Sequence, residues 1–349
     1  MATRGYNSYR GRGGNKKAII AIALVLILLG AIGFLIVQNY MVYDDAGNAH
    51  LELPFLQKDD PAEVSEETVP EDVDLEILPP ARTRPDVSEI HAAELKYGSL
   101  WWNPEYVLTL ADDAMLIHVK RPNGGITYDT AVTVPNGITV ERGRTIDTLK
   151  ALLDSDKYAI ACISCFCDSG YARANPGAAL WKDNGDLWRD EDGYAWLDPA
   201  SPTTLAYLTE LCTECAELGF DEIVLDYFGY PTGGDTASID GLNGLDKTQI
   251  LWDFADTLRE SLPDTLVISV RLHGSLAKDS GLSAQMLCDA FDRIYLTPNA
   301  DAAALHSGLP ANYDTAARLV SEGFSSPESG SYLLLYSEPA PVEDSTESE

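Results

Sequence analysis

GFDEIVLDYFGYP, residues 219–231, is the stretch that decides the fold. Gly219 closes a helix, and Ile223-Val224-Leu225 is a short apolar run of the length expected for a strand buried on both faces. Asp226 falls where that run gives way to a loop. The spacing predicts a carboxylate at the C-terminal mouth of a strand, with Tyr227, Phe228 and Tyr230 beside it. Apolar neighbours tune such a carboxylate by desolvation, and the aromatic rings offer faces for a ring-shaped ligand. The same Asp also suits a turn before Pro231, because strand-end Asp residues are common turn formers.

Outward from this strand the chain alternates between strand and helix patterns. Strands are predicted at 88–95, 114–120, 158–166, 222–226, 265–271, 293–297 and 331–336. Helices are predicted over 145–156, from Ser201-Pro202 to Gly219, after Asp246 with its capping partner Gln249, over SAQMLCDAF and over YDTAARLVSEG. A further helix is predicted from Asn103-Pro104. Such alternation implies a parallel sheet with helices outside. The expected fold is α/β, a (β/α)8 TIM-type barrel with seven strands evident; TAVTVP at 130–135 is a candidate eighth, but it reads better as an excursion after the second strand. A doubly wound sheet is the runner-up, but no G-x-G-x-x-G or P-loop stands at a strand-helix turn.

The remaining parts divide by composition. Residues 1–17 form a basic tail with Arg4, Arg10, Arg12, Lys16 and Lys17, and 18–38 is an apolar run. About twenty such residues span a bilayer. Positive charge ahead of the run predicts a single-pass plasma-membrane signal anchor with a cytoplasmic N-terminus and an extracytoplasmic domain. The run is longer than a cleaved signal peptide's apolar region. Residues 39–84, rich in Asp, Glu and Pro, predict a self-repelling stalk, 85–337 the barrel, and 338–349 an acidic disordered tail. The whole chain carries −31, and this acidity argues against nucleic acid as a partner. The C-x-x-C spacings Cys162/Cys165 and Cys212/Cys215 suggest zinc, but strand alternation puts Cys162 and Cys165 on opposite faces, and the second pair continues a helix's apolar stripe.

In a barrel, strand C-termini converge on one mouth that carries the chemistry. That convergence collects His118, Lys120, Asp168, Asp226, Arg271, His273, Asn299 and Glu338. Two carboxylates facing a sugar suffice for glycoside hydrolysis, and Asp226 with Asp168 is the pair expected here. Lys120, His118, Arg271 and His273 are expected to hold substrate or tune those acids, with Tyr227, Tyr230 and Trp196 stacking on it. Trp101, Trp102, Trp181 and Trp188 are further aromatic candidates in or near loops. Each has a structural alternative: Lys120 as an ion-pair partner, His118 as a core histidine, Arg271 as a neutraliser of pocket acids. Asp221 and Glu222 begin their strand and so fall at the end of a barrel that carries stability.

The ordered motifs HVKRPNGGITYD (118–129), YAIACISCFCD (158–168), Trp196-Leu197-Asp198-Pro199 and GFDEIVLDYFGYP resemble the putative glycoside hydrolase family of bacterial (β/α)8 barrels, distantly α-amylase-like, over residues 85–337. The resemblance implies a barrel acting on carbohydrate, with Asp226 in the position of the family's strand-four aspartate. The chain departs from that pattern at His118 and Arg121, where the family has acids, at Cys162 and Gly229 for Arg, Cys167 for Lys, and Arg271 for Asp. Two functions therefore follow as expectations: a membrane-anchored glycoside hydrolase of a polysaccharide or cell-envelope glycan, or a non-catalytic glycan-binding or scaffolding barrel. The expected partner is a carbohydrate, with the membrane contacted through 18–38. Neither a cofactor nor a metal is expected.

Overall fold

A computed structural model describes residues 41–43, 49–51, 85–95, 113–141, 144–274, 276 and 280–336. Within the stretch expected to be a stalk, Met41–Tyr43 pairs antiparallel with Ala49–Leu51. The anchor expected at 18–38, the helix after Asn103, Trp101, Trp102, Glu338 and the acidic tail lie outside the described residues. Among the described residues no helix is long and apolar enough to cross a membrane.

The chain divides into two units, Met1–Glu76 and Ile77–Glu349, and the second contains a closed barrel of parallel strands. In chain order these are β1 (His91–Glu94), β2 (Ala114–Lys120), β3 (Tyr158–Ser164), β4 (Glu222–Asp226), β5 (Val267–Leu272), β6 (Ile294–Leu296), β7 (Leu319–Gly323) and β8 (Tyr332–Leu334). Each pairs with the next, and β8 returns to β1 with Tyr332 opposite His91. β3 and β4 are apolar almost throughout because one face meets the barrel interior and the other the helices. The outer layer includes α1 (Arg144–Leu153), α2 (Ser169–Ala174), α3 (Pro202–Leu218), α4 (Lys247–Glu260), α5 (Ala284–Ala290), α6 (Ala302–Ser307) and α7 (Thr315–Arg318). Gly219 ends α3 in the left-handed conformation, with φ 103°, as a helix-closing glycine should.

The eighth strand is not 130–135. YDTAARLVSEG divides after one helical turn, with Asp314 capping α7 and Leu319–Gly323 running as β7 between β6 and β8. Helical spacing of its apolar residues suggested one longer helix, but the pairing that closes the barrel overrides that local preference. Residues 130–135 instead form an excursion tied to α3: Glu214 accepts from Thr130 Oγ1 and from the Ala131 amide, each at 2.5 Å.

Alternation sorts the side chains. Ala92, Leu116, Ile160, Val224, Val320 and Leu333 pack together inside the barrel, while Cys165, Cys212 and Cys215 pack in the larger core between strands and helices. All six cysteines are free thiols. Below the apolar interior layer, at the N-terminal end, Glu222 accepts from Arg293 (2.5 Å), Ser269 (2.6 Å), Tyr295 (2.9 Å) and Tyr158 (3.1 Å). Burial raises the Glu222 pKa, against the pull of Arg293 and these donors.

Candidate active site

β4 delivers Asp226 to the opposite end, where the next residue turns sharply. Tyr227 has φ 52°, and among the described residues it is the one non-glycine with a positive value. Such a conformation costs about 1–3 kcal/mol and persists only where its surroundings impose it. Its amide donates to Asp226 Oδ1 at 2.9 Å, and its ring stacks on His273 with centroids 4.8 Å apart. Trp196 meets the same tyrosine edge-on at 5.9 Å.

Asp226 is held by basic side chains from β5 and the loop after it. His273 Nε2 lies 2.5 Å from Oδ1, and Arg271 Nη1 lies 3.4 Å from Oδ2. Burial would raise the Asp226 pKa, but the His273 hydrogen bond and the Arg271 charge outweigh it and hold the carboxyl below its usual range. Arg271 is itself fixed by β7: its Nε and Nη2 donate to the two oxygens of Glu322 at 2.7 and 2.6 Å. On the other side, His118 Nε2 sits 2.7 Å from Glu94 Oε1 of β1. Burial lowers the His118 pKa, but Cys162 and Glu94 dominate and raise it to about 10.

The structure therefore brings together Asp226, His118, Arg271, His273, Tyr227 and Trp196 from the residues expected at the mouth. Lys120 and Asp168 go elsewhere. The β2–β3 register shifts between His118 and Lys120, and a bulge of this kind re-aims the side chain that follows it. Lys120 Nζ lies 2.9 Å from Asp168 Oδ2 and donates to the Ser164 carbonyl, with side-chain exposures of 1% for the lysine and 0% for the aspartate. Asp168 also caps α2 through the Tyr171 amide at 2.8 Å. Gly124, at φ 89°, passes so close that a Cβ there would meet Asp168 Oδ1 at 2.6 Å. A carboxylate sealed by backbone and neutralised by lysine has no surface from which to protonate a leaving group. The expectation of Asp168 as acid/base, and of Lys120 as a substrate contact, is corrected accordingly.

Above the mouth a cleft of about 410 Å³ is lined by Asp190, Trp196, Tyr227, Tyr230, Arg271, His273 and Asn299, among others. Asp190 Oδ2 accepts from the Trp196 indole at 2.8 Å and Oδ1 from the Tyr194 amide at 2.8 Å. Tyr230 is nearly buried, and its hydroxyl has no hydrogen-bond partner among the described residues. Trp188 is packed, its indole donating to the Asp235 carbonyl at 2.9 Å, and Trp181 donates to the Pro176 carbonyl at 2.8 Å. Glu94, Asp190 and Glu322 were not singled out from sequence. Glu94 lies next to the end of the first predicted strand and was open to that reading, whereas Glu322 lies on β7, which the sequence did not mark. Of possible metal ligands, His118, Cys162 and Asp226 present atoms within 4.8 Å of one another.

Residues 106–294 match the family described as "Putative glycosyl hydrolase domain". No curated protein matches the sequence. Among solved structures, a hypothetical protein from Ruminiclostridium thermocellum is 26% identical, with 51% of this chain and 96% of that one covered and a TM-score of 0.43. An α-galactosidase from Thermus thermophilus is 14% identical over 61% of this chain and 42% of its own, at TM-score 0.41. A cycloisomaltooligosaccharide glucanotransferase from Paenibacillus is 14% identical over 67% and 38%, at TM-score 0.46. This chain thus spans less than half the length of the last two.

Proposed function

The chain belongs to the family described as a putative glycosyl hydrolase domain, and on that premise we propose that its barrel cleaves a glycosidic bond in a polysaccharide or cell-envelope glycan. The observation that carries the reading is Asp226, kept ionised by His273 and Arg271 directly behind a cleft walled by Tyr227 and Trp196. An ionised carboxylate suits the group that attacks the anomeric carbon or stabilises its developing positive charge. It does not suit the proton donor.

The donor in this reading is Asp190. It lines the cleft beside Trp196, is only half-buried, and is oriented by the Trp196 indole. The apolar segment 18–38 and its basic flank support a membrane anchor that would hold the barrel on the extracytoplasmic side, with 39–84 as the tether.

Reducing-end release by the full-length chain tests the reading, across peptidoglycan, α-glucans and β-glycans, with Asp226→Asn and Asp190→Asn beside wild type. Release lost in both variants supports it. A second reading, a glycan-binding barrel without hydrolysis, is favoured by Arg271, whose charge lies against Asp226 while Glu322 anchors it. Glycan retained by the wild type, with no release from any substrate, selects that second reading.

A further inference from the structure

We propose that His118, Cys162 and Asp226 form a binding site for one borderline divalent transition-metal ion, with Zn²⁺ the best match and Glu94 and His273 orienting its ligands. The three come from adjacent strands β2, β3 and β4, and their ligand atoms lie within 4.8 Å of one another. Tetrahedral zinc, with bonds of about 2.0–2.3 Å, sets its ligands roughly 3.5 Å apart, so closing onto an ion takes side-chain adjustment of about an ångström. A thiol, an imidazole and a carboxylate together select zinc-like ions over Ca²⁺ or Mg²⁺, which take oxygen ligands.

The surroundings match what such a site requires. A metal-bound histidine donates its other ring N–H to a carboxylate, fixing the tautomer and ring orientation. Glu94 already occupies that role, 2.7 Å from His118 Nε2, which leaves Nδ1 for the ion. Asp226 is oriented in the same way: Oδ1 faces His273 at 2.5 Å and the Tyr227 amide at 2.9 Å, and Oδ2 has the longer 3.4 Å contact to Arg271. Arg271 is neutralised and anchored by Glu322 whether or not Asp226 turns toward an ion. Cys162 and Asp226 are buried, whereas His118 keeps 25% of its side chain exposed, so the ion has an entry. Three protein ligands and an open fourth position are the arrangement of zinc sites that hold water or a substrate oxygen. Binding replaces the Cys162 S–H and His118 Nδ1–H bonds with metal–thiolate and metal–imidazole bonds, and both protons are released to solvent.

The sequence did not suggest this site. The C-x-x-C partner, Cys165, points into the outer core, and the true neighbours of Cys162 are 44 residues back and 64 residues ahead in the chain. The ion site shares Asp226 with the proposed hydrolysis, so a bound ion would take that carboxylate out of the reaction, whereas a barrel that only binds glycan would still take the ion.

Titration of the reduced full-length chain with Co²⁺ tests it, read by the thiolate-to-cobalt charge-transfer absorption. One equivalent is expected to saturate the band, and Zn²⁺ to displace it. Cys162→Ser should abolish the band, while Cys212→Ser, in the outer core, should leave it intact. Glu94→Gln should weaken Co²⁺ binding by about 10–100-fold. X-ray absorption of the zinc-loaded wild type needs no variant, and should show one sulfur at about 2.3 Å with nitrogen and oxygen at about 2.0 Å. No saturable band, a band unchanged in Cys162→Ser, or a zinc shell without sulfur would each overturn the proposal.

Discussion

Arg271 of β5 donates through two nitrogens to Glu322 of β7, at 2.7 and 2.6 Å, while touching Asp226 at 3.4 Å. The geometry makes Glu322 the anchor and Asp226 the beneficiary of the guanidinium's charge. Removing one partner of a buried pair leaves the other charge uncompensated, at a cost of about 3–5 kcal/mol. Glu322→Ala is expected near the lower end of that range in urea unfolding, because Arg271 can still turn to Asp226. A loss well under 1 kcal/mol would show that the pair is not anchoring β5 to β7.

Asp226→Asn keeps the shape of the site but removes its ionised group. Hydrolysis should fall by at least about 100-fold, with glycan retention on an affinity column unchanged. Residual activity near the wild-type level would move the reaction centre away from β4.

The Asp226 pKa is depressed, so its contribution to stability is present above the unfolded value of about 3.9 and is lost as pH falls through the lower folded value. The stability difference between wild type and Asp226→Asn should therefore shrink below about pH 4. His118 has the opposite sign. Its pKa is raised to about 10, so its contribution is complete below the unfolded value of about 6.5 and fades as pH rises toward 10. Chemical denaturation from pH 7 to 10 should show a decline that is flatter in His118→Gln; parallel curves would remove the Cys162 and Glu94 contacts as its source.

Asp168→Ala tests the reassignment of the buried Lys120 pair. Loss of a helix cap and exposure of an unpaired buried lysine should together cost at least about 3 kcal/mol. Activity per folded molecule should stay within a few-fold of wild type. A stable variant with no activity would return Asp168 to the reaction.

Tyr227→Gly separates ring from backbone, because glycine adopts φ 52° without strain. Loss of the ring that stacks on His273 should weaken glycan binding about tenfold, equivalent to about 1.4 kcal/mol. Calorimetry showing unchanged affinity would exclude the ring as a sugar platform.

Much of this architecture was readable from periodicity. Seven strands were legible because their apolar runs are bounded by helix caps and turn residues, and Asp226 was legible because it follows such a run directly. β7 was not, since LVSEG continues the apolar spacing of the turn before it with no glycine or proline to mark the change. Glu322 disappeared from view with it. Lys120 and Asp168 were misplaced for a different reason. Alternation puts His118 and Lys120 on one face, and the bulge between them is a tertiary event that spacing does not encode. Cys162 was correctly separated from Cys165, but its neighbours on β2 and β4 emerge only when the strands pair.

The apolar layer of Ala92, Leu116, Ile160, Val224, Val320 and Leu333 lies between two independent charge systems, Glu222 with Arg293 below and the Asp226 group above. It acts as an insulating septum. Side-chain chemistry at the mouth, as at His118 and Arg271, is thereby kept apart from the charges that hold the opposite end together. A substitution that changes charge at the mouth is therefore expected to leave the Glu222–Arg293 pair intact.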